Sequence, residues 1–102
     1  MPQKTLYSAK VNAGDGFDSP APLADISGWT VSKMGQTEIY KITHNLGLSD
    51  PERDLHVVAT SMSAGVDVIV SSLDENSFTC SAWGAETTPT QTDFMFVAVH
   101  NT

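Results

Sequence analysis

The residues of this chain best equipped for chemistry are three histidines, one cysteine and several carboxylates. His44, His56 and His100 together would make a nitrogen set suited to zinc, and one histidine from each of three subunits would do the same on a trimer axis. His44 alone is also of a type used as a general base. Against both readings, the three positions have no diagnostic spacing. His44 is followed by Asn45, Leu46 and Gly47, and this composition reads as a corner at the end of a strand. Asn tolerates a left-handed turn conformation and Gly supplies φ > 0. The corner is the preferred reading, so His44, Asn45 and Gly47 are taken as a structural turn motif. No catalytic, cofactor-binding or metal residue is assigned.

The other candidates read similarly. Cys80 shares an alternating face with Phe78 and Ala82, the setting of a small core residue rather than of a reactive thiolate. As the only cysteine it permits neither an intramolecular disulfide nor a cysteine-based zinc site. Asp50, Glu52 and Asp54, like the Asp74-Glu75 pair, sit among turn residues where carboxylates are solvated. Asp15 and Asp18 lack the repeated alternation of a calcium loop. Gly14-x-Gly16 is not placed as a phosphate loop, and no G-x-S-x-G elbow occurs. Trp83 is more open. It follows a strand on the side opposite the apolar residues and enters a loop containing Glu86 and several threonines. An aromatic ring beside a carboxylate and hydroxyls is a way to hold a sugar; closing the end of a sheet is the alternative. Trp29 carries the same ambiguity.

The elements that would position these residues are strands. Thr37–Thr43, Leu55–Met62, Val66–Leu73, Ser77–Trp83 and Thr92–His100 alternate with period two and are rich in Val, Ile, Phe and Thr. The breaks carry turn residues: Gly47, Asp50 and Pro51; Ala64-Gly65, suited to a hairpin; Asp74 and Asn76; Gly84 and Pro89. No stretch shows ten or more residues of helical spacing. An all-β antiparallel meander or sandwich is predicted over residues 37–102. Residues 1–36 hold four of the seven glycines and read as an irregular N-terminal arm or docking segment. It contains short strands near Leu6–Lys10 and Trp29–Lys33 and at most one helical turn around Pro22–Ile26. The final strand is apolar on both sides: Phe94, Phe96 and Ala98 on one, Met95, Val97 and Val99 on the other. Burial on both sides implies cover by the arm or by another subunit, so Phe94, Met95, Phe96, Val97 and Val99 are interface candidates.

The chain has 102 residues, the size of one domain. Its 40% hydrophobic and 17% charged content is that of a globular chain. With five basic and twelve acidic residues, a net charge of −7 argues against phosphate backbones and anionic membranes as partners. No run of about 18 apolar residues offers a membrane span, and the start lacks the apolar stretch of a secretory signal. Synthesis and folding in a cytoplasm are expected.

The segment IYKITHNLGLSDPERDLHVVATSMSAGVDVIVSSLDENSFTCSAW, with its strand ending in ITHNLG, resembles a β-module of bacteriophage tail fibres and other virion proteins. The order ENSFTCSAW then DFMFVAVHN is also similar to the H-type lectin-like sandwich. The resemblance runs from Thr37 to the end. It implies a non-enzymatic, homotrimeric β-sandwich located on the virion, as a tail-fibre-like or capsid-decoration component that contacts other virion proteins. A second implication is a carbohydrate-binding, receptor-recognising module taking a host-surface glycan near Trp83 and Glu86. In either case His44, Asn45 and Gly47 would be structural, no cofactor is expected, and the arm would dock on the particle or swap onto a neighbour.

Overall fold

The computed structural model describes residues 4–12, 26, 28–33, 39–62, 64–84 and 92–101. Among the described residues, seven strands and one helical turn follow in order: β1 (Lys4–Val11), β2 (Thr30–Lys33), β3 (Ile39–Thr43), α1 (Pro51–Asp54), β4 (Leu55–Ser61), β5 (Asp67–Leu73), β6 (Ser77–Trp83) and β7 (Phe94–Asn101). They form two antiparallel sheets, β1-β7-β4 and β2-β3-β6-β5, as in a β-sandwich.

The core between the sheets is built from the alternation of the strands. Ala9 and Val11 of β1, Leu55 of β4, and Phe94, Phe96 and Ala98 of β7 enter from one side. Tyr40 and Ile42 of β3 and Phe78, Cys80 and Ala82 of β6 enter from the other. Trp29, just before β2, lies among them. Its ring is 4.7 Å from Tyr7 and 5.9 Å, nearly parallel, from Phe96. A large aromatic side chain removes more apolar surface from water than any aliphatic one, so this group holds the two layers together.

The structure corrects three expectations. The first concerns the arm. Residues 4–11 pair with β7 along the whole of β1, and β2 pairs with β3. Without β1, one ladder edge of β7 would present unpaired N–H and C=O groups beside the core. Two strands of the first 36 residues therefore belong to the sandwich, and a boundary at residue 36 does not separate arm from domain. The helical turn near Pro22–Ile26 lies, apart from Ile26, outside the described residues.

The second concerns the Ala64-Gly65 turn. Gly65 adopts φ 77°, yet β4 pairs with β7 and β5 pairs with β6. The turn therefore carries the chain from one sheet to the other instead of closing a hairpin. A turn residue sets the reversal of direction; which sheet the next strand joins depends on where its apolar side finds a partner. The turn residues Asp74–Asn76 do close a hairpin, between β5 and β6, with the Asp74 N–H donating to the Ser77 carbonyl at 2.8 Å. Its ladder shifts register between Val70 and Ser72, a bulge that leaves Ser71 as the extra residue.

The third concerns the interface candidates. Phe94 and Phe96 are 0% and 1% exposed within the single chain, which removes them from any subunit contact. Met95 and Val97 stand on the opposite side of β7, and Val99 is half-buried there.

Candidate functional site: the outer face of the β1-β7-β4 sheet

The His44 corner is a clasp between two connections. Asn45 and Gly47 take φ of 58° and 65°. The N–H groups of His44 and Asn45 donate to the Asn76 carbonyl (2.8 and 3.1 Å), and that of Leu48 donates to the Glu75 carbonyl (2.8 Å). The Gly47 N–H donates to Asn76 Oδ1 (2.9 Å). Asn76 is thus as much part of the corner as Asn45. Its only sequence signal is that of a turn asparagine, since its partners are about thirty residues away.

His44 itself is buried against Phe78 and Trp29. Its Nδ1 accepts the Leu46 N–H at 3.0 Å, which places the ring proton on Nε2. That Nε2 is buried and unpartnered. Burial, and then the charge of His100, push its pKa below the ordinary histidine value. A ligand or base needs a free lone pair, and the one on Nδ1 is engaged by backbone. His56 does not join His44: it is exposed on β4, on the side of the sheet opposite the core residue Leu55. Among the described residues no three His, Cys, Asp or Glu side chains are grouped to hold a metal ion.

The remaining candidates are equally committed. Cys80 is buried, and desolvation pushes its thiol up to about 12. The Asp50 and Asp54 carboxylates face Arg53 at 3.8 and 3.2 Å, and Asp54, bonded first to the Asp50 N–H and then to Arg53, is held below the usual carboxylate value. Trp83 is half-buried, and its indole N–H is buried without a partner. Glu86, Asp15, Asp18, Gly14 and Gly16 lie outside the described residues.

The feature that stands out is the outer face of β1-β7-β4. Register sets its side chains in three cross-strand rows: Leu6, Val99 and His56; Ser8, Val97 and Val58; Lys10, Met95 and Thr60. Leu6 and Val58 are 68% and 72% exposed, and Met95 and Val97 about 40%. Between them is a shallow hollow of about 460 Å³, with Val97 and Met95 in its floor and Ser8, Lys10, Val58 and Thr60 around it. No outward position within these three strands carries a carboxylate, and the nearest acids in sequence are Asp54, just before β4, and Asp93, just before β7. In a chain of net charge −7 that makes this face apolar and acid-free at once. The two-sided apolar pattern of residues 94–99 signalled such a face. The contributions of Leu6 and Val58 were legible only once β1 and β4 were known to flank β7.

Compared with known proteins, the chain matches no family model, no curated protein and no solved structure.

Proposed function

We propose that this protein is a non-enzymatic structural component of a bacteriophage particle, tail-fibre-like or capsid-decorating, that works by surface contact. The observation that carries the contact role is the exposed apolar, acid-free face of β1-β7-β4. Apolar patches of this kind mark interaction surfaces. The particle assignment rests on the resemblance of the ITHNLG segment and the strand order after it. The commitment of the most reactive side chains to the fold also supports a non-enzymatic role. His44 gives its lone pair to Leu46, and Cys80 stays a thiol at physiological pH. The carbohydrate reading has less behind it, because the Trp83 indole N–H is buried instead of presented.

The test is co-purification. Particles of the phage that encodes this chain should retain it at a fixed ratio to the other particle proteins through a density gradient. Recovery of the protein only from the soluble lysate would end the particle reading.

A further inference from the structure

We propose that the outer face of β1-β7-β4 joins two copies of this chain, packed sheet to sheet about a two-fold axis running along β7. The proposal rests on the reading of this face as a contact surface and adds what covers it: the same face of a second copy.

The number of patches is the first argument. The exposed large hydrophobic residues among those described are Leu6, Val58, Met95 and Val97 on this face, Met62 just past the end of β4, and Ile69 on the other sheet. A ring of three or more subunits needs two different surfaces that fit each other. A two-fold contact needs one surface that fits itself. The described surface offers one apolar patch, and so favours the two-fold contact over the three-fold closure implied by the fibre resemblance.

Charge is the second argument. Two chains of net charge −7 repel through most of their surface. The outward strand positions of this face hold Lys4, Lys10 and His56 and no acid, so this is where copies approach at least electrostatic cost.

The third is fit. An axis along β7 sets β1 of one copy over β4 of the other. Protruding Val58 then lies over the partner subunit's Ser8, whose short side chain borders the hollow, and Val97 meets the partner subunit's Val97 on the axis. Lys10 lies over the partner subunit's Thr60. A two-fold across the strands would instead oppose the lysine-bearing β1 strands. Sheets stacked in this aligned manner pack about 10 Å apart with interleaved side chains.

The experiment is light scattering on the intact chain at low micromolar concentration, with Val58→Glu and Val97→Cys beside the wild type. Twice the chain mass is expected for the wild type. Val58→Glu should weaken association by about tenfold or more, since it places a carboxylate in the contact, while its circular dichroism is unchanged. Oxidised Val97→Cys should run as a covalent dimer; buried Cys80 does not compete. A monomeric or trimeric wild type, a dimer indifferent to Val58→Glu, or a Val97→Cys dimer that does not cross-link would each overturn the proposal. A dimer that is absent from purified particles would overturn the particle reading alone, and a particle-bound trimer this inference alone.

Discussion

The two sheets present very different surfaces to solvent. On β2-β3-β6-β5 the outward hydroxyls of Thr79 and Ser81 on β6 find partners within the sheet. Thr79 Oγ1 is bonded to Ser71 Oγ (2.8 Å) and Ser72 Oγ (2.7 Å), and Ser81 Oγ donates to Ser71 Oγ (3.1 Å). Ser77, Thr79 and Ser81 are buried although they point away from the core. On β1-β7-β4 the corresponding positions carry Leu6, Val58, Met95 and Val97, for which solvent is a poor environment and which no described residue covers. One face carries hydroxyls bonded to one another, with Ile69 exposed beside them, while the other leaves a row of apolar side chains open to solvent. The lesson is that the polarity of an outward strand position, more than its exposure, tells which side of a sandwich is available for contact.

Substitutions on either side of a single strand test that contrast most strongly. Phe96→Ala, on the inner side of β7, should cost about 3–5 kcal/mol by cavity formation, read as a loss of urea unfolding free energy. Two residues' worth of side chain in the same ladder then separate cleanly, because Val97→Thr on the outer side should stay within about 0.5 kcal/mol in the isolated chain. Equal losses would mean that both sides of β7 are core.

The His44 corner, which leads the chain from one sheet to the other, is expected to sense pH. Its folded pKa is depressed below 6.5 by burial, so the unfolded state binds the proton more readily. The neutral ring's contribution is complete above about pH 6.5. It is lost as the pH falls below that value, until the folded ring also takes up the proton. The slope is at most about 1.4 kcal/mol per pH unit for one proton. His44→Gln should flatten the stability profile in that window; an unchanged profile would assign the pH dependence elsewhere.

Gly47→Ala should cost about 1 kcal/mol or slightly more. A methyl group there meets nothing within 4 Å, so only the φ of 65° penalises it. Thermal melts of Gly47→Ala against the wild type measure this directly. The smallest effect sharpens the hydroxyl face. Thr79→Val removes one hydroxyl bonded to two serines that are themselves exposed and can turn to water. A loss of about 1 kcal/mol or less is expected, with no change in solution mass. A change in mass would place a contact on this sheet as well.

The strands from β3 onward and their inward residues were legible because period-two alternation and turn residues are local signals. So were the short strands near Leu6–Lys10 and Trp29–Lys33, although β1 proved longer. What the sequence did not carry was partnership. Nothing local distinguishes Phe94 and Phe96 from Met95 and Val97, as both sets are apolar; the sheet that covers one set decides. The same holds for Ala64-Gly65, a good turn whose flanking strands join different sheets. Asn76 and Trp29 acquire their roles from residues distant in the chain. The candidate site was therefore visible as a pattern in β7 and invisible in the flanking β1 and β4.

The pairing of β1 with β7 also orders events in time. Strands β2, β3, β5 and β6 are all synthesised before β7, and they make a complete four-stranded sheet. The opposite sheet lacks its central strand until β7 emerges, and β1 and β4 have nothing to pair with until then. The hydroxyl-faced sheet can form while the chain is still being made, and the apolar-faced sheet closes last, through the most sequence-distant contacts of the fold. Such contacts are slow to form because a long loop must close first. Nascent chains paused before residue 94 should therefore protect amides of β3 and β6 from exchange while leaving those of β1 and β4 open. The exposed apolar surface of the β1-β7-β4 sheet is then the last part of the molecule to come into existence.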